Sequence, residues 1–307
     1  MMAHKADKQE KILVPVDGSE RSLKTIRYIA GFSPFSNMKV VLFNVFHKIP
    51  EYYWDLTNTP MMNGRAVHMA SWEQQNRETI DRFMEKSVAL LRTSGFQEGD
   101  IEIRIRNLEK GVTRDIIAEA KNGYAAVVAR RRGFTKVPGI LVGSVADKLM
   151  TSLDFVPLFF VGAEPVSHKI LIAMDNSESA MAAVAFVAKT TGTTDFSVTL
   201  IHVVREDEIF SDDYYGAEGV GRTAMLKVFE DARSQLIQGG YKHDNIHHKV
   251  ITGAGSRAGT IARIADEEDY STIVLGRYGV SRVRDFFLGR VSKKVIQAAH
   301  TRTVCIV

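Results

Sequence analysis

An internal repeat is the feature of this sequence that most constrains its fold. The segment 11–20 (KILVPVDGSE) returns as segment 169–178 (KILIAMDNSE), which is 158 positions later when counted from Lys11 to Lys169. The apolar run 40–46 is matched at the same spacing by the run 198–204. Self-similarity over most of a chain indicates duplicated structural units, so the sequence predicts two domains of the same fold.

Length and composition fit a pair of globular domains. The 307 residues are 45% hydrophobic and 25% charged, as expected for about two soluble domains. We place the domains at residues 1–162 and 163–307, joined by a short linker that contains Pro165.

Several classes of protein are not expected. The N-terminal residues lack an apolar signal segment. The sequence also has no run of about 18 apolar residues, which is the length needed to span a membrane. The single cysteine, Cys305, has no partner for an internal disulfide, which favours a reducing compartment. A net charge of +4, spread along the chain, does not indicate a nucleic-acid partner. We therefore expect a cytoplasmic protein with no membrane and no nucleic-acid partner.

Each half alternates apolar strands with helical segments in the order β-α-β-α-β-α-β-α-β. The strands are apolar along most of their length, which is typical of parallel strands covered on both faces. The predicted fold class is α/β, with two tandem doubly wound domains, each a five-stranded parallel sheet flanked by helices. In such folds, ligands bind outside the carboxyl ends of the strands, where the strand order reverses.

Caps and glycines mark the predicted helix boundaries. Ser19 and Ser177 stand where a helix N-cap is expected. The long helix of each half is predicted over residues 73–94 and 222–238, with Gly95 and the pair 239–240 as C-terminal stops.

A glycine pattern follows the fourth predicted strand of the second half. It reads G-x2-G-x9-G, at Gly276, Gly279 and Gly289, and a helical segment comes after it. Such glycines let a bound group approach the backbone, and a helix start offers N–H groups and a positive dipole end to an anion. A glycine-rich surface turn is the alternative interpretation.

The first half keeps only part of this pattern. Its second and third glycines are Gly133 and Gly143, 146 positions before their counterparts at 279 and 289. Arg130 takes the place of the first glycine, and Ser144 takes the place of Arg290.

Together, these motifs resemble those of the universal stress protein family, in two tandem copies. In the first half they are I-L-V-P-V-D-G-S-E and G-x9-G-S-V-A-D-K-L. In the second half they are I-L-I-A-M-D-N-S-E, L-I-H-V and G-x2-G-x9-G-R-V-S-K-K-V. The resemblance covers residues 11–161 and 169–307. It implies a stress-response protein that binds ATP, with Mg²⁺ as a further candidate ligand.

The resemblance also implies which residues border the nucleotide. In the family, main chain near the first two strands borders the adenine, and the glycine loop wraps the ribose and phosphates. Carried over by position, the second half contributes Ala173, Met174, Asp175, Val203, Leu275, Gly276, Gly279, Gly289, Arg290 and Val291. The first half contributes Pro15, Val16, Asp17, Val45, Ala129, Arg130, Gly133, Gly143, Ser144 and Val145.

The departures from the family pattern distinguish the two halves. Arg130 either blocks the approach of a nucleotide to the backbone or binds a phosphate through its guanidinium. Arg131, Arg132 and Lys136 form a basic cluster with it, which is either a solvated charge run or a phosphate contact. The second half retains all three glycines, so we expect it to hold the better site.

Three polar residues are candidates for a chemical role. Asp17 and Asp175 either bind Mg²⁺ together with a nucleotide or stabilise the following turn as local caps. His202, in a predicted core strand, is expected to be structural and not catalytic. Since no nucleophile–base–acid set and no metal-binding motif occurs, we expect neither an enzyme nor a protein-held metal centre.

Two functions of different class follow. The first is a stress-response protein that binds ATP as a sensing ligand. The second is a dimeric adaptor with degenerate sites that binds no nucleotide. The resemblance further implies that the fifth strands, 157–161 and 303–307, pair inside one chain, and we expect such chains to form a homodimer.

Overall fold

The computed structural model describes residues 9–49, 63–131, 144–162, 164–165, 167–206, 220–279 and 288–307. Within these residues the strands form one ten-stranded sheet. In chain order they are β1 (Lys11–Pro15), β2 (Lys39–Phe46), β3 (Ile101–Asn107), β4 (Ala126–Arg130), β5 (Leu158–Val161), β6 (Lys169–Ala173), β7 (Ser197–Arg205), β8 (Ile246–Ala254), β9 (Thr272–Leu275) and β10 (Thr303–Ile306).

The sheet consists of two doubly wound halves. Its strand order is β3-β2-β1-β4-β5-β10-β9-β6-β7-β8, and all neighbours within each half are parallel. The order reverses between β1 and β4 in the first half and between β6 and β9 in the second. The predicted α/β fold class is therefore confirmed.

The two halves join through their fifth strands. β5 and β10 pair antiparallel, with Phe159 opposite Cys305 and Leu158 opposite Ile306. This confirms that the fifth strands pair inside one chain, and the pairing removes an edge that each half-sheet would otherwise expose. Because both strands are used within the chain, the homodimer, which stays a prediction, would need another surface.

Helices cover both faces of the sheet. They are α1 (Leu23–Gly31), α2 (Asn63–Thr93), α3 (Val112–Ala120), α4 (Ser144–Ser152), α5 (Glu178–Thr191), α6 (Val220–Gln238), α7 (Arg257–Glu267) and α8 (Arg290–Ala298). Buried side chains of α1, α2, α5 and α6 form one core, and those of α3, α4, α7 and α8 form the other. Among the described helices, none combines the length and apolar character that a membrane crossing requires.

The long helices end as predicted, but one begins earlier. Gly95 and Gly240 have φ angles of 99° and 107°, the left-handed conformation that terminates a helix after α2 and α6. The start of α2 at Asn63 lies ten residues before the predicted residue 73, so that boundary was wrong. The intervening sequence contains Ala66, Met69 and other good helix formers, which favour extension of the helix.

The two predicted serine caps differ. Ser177 caps α5, since its Oγ accepts a hydrogen bond from the N–H of Ala180 at 3.1 Å. Ser19 makes no such cap, because a 3₁₀ turn (Glu20–Ser22) precedes α1 and the Ser19 hydroxyl donates to Asp17 at 2.6 Å. The prediction for Ser19 was therefore wrong: its hydroxyl serves the aspartate and not the helix.

Aromatic side chains fill the junction between the halves. The ring of Phe32, directly after α1, lies 5.1 Å from that of Phe196, measured between centroids. Phe159 in β5 contacts Phe186 in α5 at 6.0 Å. Both edge-to-face contacts cross from one half to the other, so the halves share one apolar core on this face.

Candidate functional site

The candidate site of the second half lies where the strand order reverses. Ala173 at the end of β6 pairs with Leu275 at the end of β9, and both strands point their carboxyl ends to the same edge. Met174 and Asp175 follow Ala173, and Gly276 follows Leu275. The structure thus brings together the two segments that the sequence pattern selected.

Asp175 is engaged with its own turn and with the glycine loop. Its Oδ1 accepts a hydrogen bond from the hydroxyl of Ser177. Its Oδ2 lies so close to Gly279 that a Cβ built on this glycine would be 2.9 Å from the oxygen. The carboxylate therefore stabilises the turn, as one of the two interpretations expected, and a side chain at Gly279 would have to displace it.

Gly276 is required by the protein's own packing. A Cβ at this position would lie 2.5 Å from the carbonyl carbon and 2.6 Å from the carbonyl oxygen of Ser179, in the first turn of α5. The backbone N–H of Tyr278 donates to Ser179 Oγ at 3.1 Å, which ties the loop to the same turn. Close approach of backbone to backbone therefore explains this glycine before any ligand is considered.

The far end of the loop returns to the start of α8. The N–H of Gly289 donates to the carbonyl oxygen of Arg277 at 2.8 Å, and the Ser292 hydroxyl donates to that of Gly276 at 2.9 Å. These two bonds fix the first turn of α8 against the carboxyl end of β9. Residues 280–287 lie outside the described part of the chain.

The first turn of α8 is suited to an anion. Lys293 is the first residue whose N–H donates within the helix, to Gly289 at 3.0 Å. The N–H groups of Arg290, Val291 and Ser292 therefore have no acceptor in the helix and carry the positive end of its dipole. The side chains of Arg290, Lys293 and Lys294 are exposed beside them.

Main-chain groups of the residues expected at the adenine form hydrogen bonds with other parts of the protein. Met174 donates its N–H to Ile201 at 2.8 Å, and its carbonyl oxygen lies 2.9 Å from Nδ1 of His202. The carbonyl oxygen of Val203 accepts a hydrogen bond from Arg257 Nε at 3.1 Å. His202 thus has the structural role that we expected of it, since its ring holds β6 and β7 together at their carboxyl ends.

The corresponding aspartate of the first half is more strongly held. Asp17 Oδ1 accepts hydrogen bonds from Ser19 N at 3.0 Å, Ser19 Oγ at 2.6 Å and Ser22 Oγ at 2.5 Å. Burial by itself raises the pKa of Asp17, but these hydrogen bonds and the charge of Arg130 outweigh it, so the pKa lies below its usual value. Arg130 is therefore close enough to act electrostatically on the carboxylate.

The other side chains of the first half differ in detail. Asn44 takes the place of His202 and donates to the Val16 carbonyl at 2.8 Å. Pro15, Val45 and Ala129 lie at the carboxyl ends of β1, β2 and β4.

Only part of the predicted first-half loop lies within the described residues. Gly133 and Gly143, together with Arg132 and Lys136 of the basic cluster, lie outside the described residues. Ser144 begins α4, and Val145 follows it with its side chain exposed.

The first turns of α4 and α8 carry opposite charge. α4 has Asp147 in its first turn, whereas Lys293 stands at the equivalent position of α8, 146 residues later. An acidic residue at a helix N-terminus stabilises the helix and repels a phosphate at the same place. Among the described residues, no group of three or more His, Cys, Asp or Glu side chains is arranged to hold a metal ion.

The family follows from a comparison with known sequence families. The model of the universal stress protein family matches residues 9–155 and 167–307, one copy in each half. The chain belongs to the universal stress protein family. Its two copies of the family domain account for the repeat and for the two half-sheets.

Similar proteins of this family are known from archaea and bacteria. A universal stress protein of Methanocaldococcus jannaschii is 26% identical over 145 residues, which are 43% of this chain and 90% of that protein. The universal stress protein YxiE of Bacillus subtilis is 26% identical over 141 residues, 42% of this chain and 92% of its own length. A solved universal stress protein from Archaeoglobus fulgidus has the same fold over 97% of this chain and 96% of that one, with a TM-score of 0.61 and 21% identity.

Two arginines of this universal stress protein have roles that differ from what the sequence suggested. Arg131, assigned to the basic cluster, is buried, and its Nη1 donates to the carbonyl oxygen of Ile296 in α8 at 2.6 Å. Neither a solvated charge run nor a phosphate contact describes it, so both interpretations were wrong for this residue. Arg277, which was not singled out, is buried as well and donates from Nη1 to Met150 in α4 at 2.9 Å.

A signal for these roles was present in the sequence. Arg131 and Arg277 are 146 residues apart, the spacing of the two glycine loops, so the arginine is part of the repeat. A cation retained at one position of both loops, beside changes at the neighbouring positions, indicates a shared role for the pair.

Proposed function

We propose that this universal stress protein binds an adenine nucleotide, ATP, as a sensing ligand, and that the second half holds the binding site. The observation that carries the proposal is the first turn of α8. It combines three N–H groups without helical acceptors, at positions 290–292, with the exposed cations Arg290 and Lys293, and the exposed Lys294 follows in the next turn. A phosphate chain is the ligand that this arrangement fits.

Electrostatics favours a bound anion over a bare helix end. Cations in the first turn oppose the helix dipole, and each costs about 0.3–1 kcal/mol at an exposed position. Two of them in the first turn of α8, Arg290 and Lys293, are unfavourable unless an anion lies beside them. The first turn of α4, with Asp147, carries the charge that stabilises a helix end by itself.

The remainder of the nucleotide is assigned by family resemblance. Ala173, Met174 and Val203 would border the adenine, Leu275 would lie beside the nucleotide where the glycine loop begins, and Gly279 and Gly289 would leave room for the ribose and phosphates. Mg²⁺, where it accompanies the nucleotide, would be held by the phosphates, with the Asp175 carboxylate beside Gly279 as a candidate ligand. We propose binding without turnover, in a protein of the cytoplasm.

The proposal is tested by titration calorimetry with ATP and Mg²⁺ on protein stripped of carried-over ligand. Wild type should bind with a stoichiometry near one. Lys293→Asp should weaken binding about tenfold or more, because it replaces an attractive charge with a repulsive one. The same change should raise the thermal stability of the free protein, so a loss of affinity is not explained by unfolding.

The matched control lies at the equivalent position of the first half. Asp147→Lys should leave the affinity and the stoichiometry unchanged. Gly279→Arg should abolish binding, because its side chain would fill the space between Asp175 and the loop. Equal affinity in wild type, Lys293→Asp and Gly279→Arg would show that ATP does not bind at α8.

A second function, the adaptor without nucleotide, is favoured by the state of the first half. There Arg130 acts on Asp17, and Asp147 occupies the anion-binding turn. An absence of binding by wild type at millimolar ATP would favour this function for the whole chain. Sedimentation at several concentrations would then test the expected homodimer.

A further inference from the structure

We propose that Arg131, which belongs to the first half, is a positioning residue for the anion-binding end of α8 in the second half. The inference rests on the proposed function, because the site that it concerns is the one described above. It assigns a role to the first-half loop that is independent of any nucleotide bound there.

The helix α8 is held at both ends by groups outside itself. Its N-terminus is fixed by Gly276 and Arg277 of its own half, through Ser292 and Gly289. Its last turn is fixed by the first half, where Arg131 Nη1 donates to the Ile296 carbonyl at 2.6 Å. A second donor, Arg131 Nη2, lies 3.4 Å from the carbonyl oxygen of Arg302, just beyond the helix.

The hydrogen bond from Arg131 to Ile296 is strong, because its donor is charged. The carbonyl groups of a last helical turn have no N–H donor within the helix, and they carry the negative end of its dipole. A buried guanidinium satisfies this end with both charge and directed donors. Burial lowers the pKa of Arg131 to about 10, so the group stays charged at neutral pH.

The contact is one of a symmetric pair. Arg277 donates to Met150 at 2.9 Å and also to Leu153, at the end of α4 in the first half. Both the arginines and their first acceptors, Met150 and Ile296, are 146 residues apart. The arginine at the start of each glycine loop therefore holds the fourth helix of the other half. This reciprocal contact is a property of the pair of domains.

A shift at the C-terminus of α8 reaches its N-terminus. The helix has only nine residues, too few to be stable in isolation, so its position depends on the contacts at both ends. A helix of this length moves as a unit, and the N–H groups at 290–292 move with it. Arg131 thereby sets the geometry that a phosphate meets about one to two turns away along α8.

The test compares substitutions of two arginines at the same junction. Arg131→Met removes the donor to Ile296 and keeps an apolar side chain of similar length. Arg302→Met is the control. The Arg302 side chain pairs with Asp266 and Asp269, and among the described residues it donates to no carbonyl group of α8. Arg131→Lys restores the charge with a single-point donor.

Two readouts separate positioning from stability. Well below the melting temperature, Arg131→Met should raise the Kd for ATP with Mg²⁺ about three- to tenfold, Arg131→Lys should recover part of this, and Arg302→Met should not change it. Hydrogen exchange of the free protein should be faster at residues 293–296 in Arg131→Met than in wild type or Arg302→Met.

The outcomes also separate this inference from the proposed function. If wild type binds no ATP, the proposed function fails, and the exchange rates of α8 alone decide whether Arg131 positions the helix. Unchanged exchange in Arg131→Met overturns the inference. An unchanged Kd in a wild-type protein that does bind ATP overturns it as well, because the anchor would then be only structural.

Discussion

The hydroxyl of Tyr28 lies 2.8 Å from Oγ1 of Thr272, and both side chains are completely buried. Tyr28 belongs to α1 of the first half, and Thr272 begins β9 of the second. A hydrogen bond between two neutral hydroxyl groups therefore crosses the junction inside an aromatic core. Burial also raises the pKa of Tyr28 far above its usual value, so the phenol stays protonated.

Removal of one partner of this bond should destabilise the junction. Tyr28→Phe leaves the Thr272 hydroxyl buried with one partner fewer, which should lower the free energy of unfolding by about 1–3 kcal/mol in urea denaturation. Adding Thr272→Val should recover most of the loss, because both polar groups are then absent. A double variant that is as unstable as the sum of the two single variants would contradict this account.

Gly276 should tolerate no side chain, although it is preceded by a regular strand. Gly276→Ala places a Cβ 2.5 Å from the backbone of Ser179, so α5 must shift, at a cost of about 1–3 kcal/mol in the free energy of unfolding. Gly255→Ala is the matched control, because its Cβ would meet nothing within 4 Å. Thermal unfolding that shows equal stability for the two variants would contradict the packing argument.

Glu119 should make the first half sensitive to acid. Its buried carboxylate accepts hydrogen bonds from Tyr124 Oη at 2.6 Å and from Arg104. Burial by itself raises the pKa of Glu119, but these partners and Arg106 outweigh it, and the pKa lies below its ordinary value of 4.5. The unfolded chain therefore binds a proton more readily than the folded one.

The sign of the pH dependence follows from this lowered pKa. The stabilisation by Glu119 is fully present above pH 4.5 and is lost as the pH falls through the folded-state pKa. Glu119→Gln should lower the free energy of unfolding by about 2 kcal/mol at pH 7, and the difference from wild type should shrink toward pH 3. Glu98→Gln, at an exposed ion pair with Arg92, should change stability by less than about 1 kcal/mol. A Glu119→Gln deficit that is independent of pH would refute the assignment.

Cys305 should report on the junction between the half-sheets. It lies in β10 opposite Phe159 of β5, it is fully buried, and burial raises the pKa of its thiol well above its usual value. A thiol reagent at neutral pH should therefore label the native protein only at the rate at which the junction opens, and should label one group per chain in denaturant. Rapid labelling of the native protein would show that β5 and β10 are not paired in solution.

The sequence alone was sufficient for the α/β class and for the five strands of each half. Apolar runs with helical segments between them leave few alternatives to a parallel sheet, and the repeat made each assignment twice. The glycine and aspartate positions of the second half were also predictable, since Asp175 and Gly276 follow directly on apolar strands whose carboxyl ends must meet. The start of α2 was missed because local propensity near Asn63 outweighed the glycine that follows it.

Only the tertiary structure decided which arginine side chains are buried and which groups they bind. In sequence, Arg131 stands in a run of three arginines and has the pattern of a solvated surface. Its acceptor at Ile296 is a backbone carbonyl in the other half, which no side-chain pattern marks. The carbonyl comes within reach only when β5 and β10 pair, because that pairing brings the end of each fourth helix to the loop of the other half. The repeat determined that there would be two loops, and the packing of the halves determined that each loop holds the helix of the other.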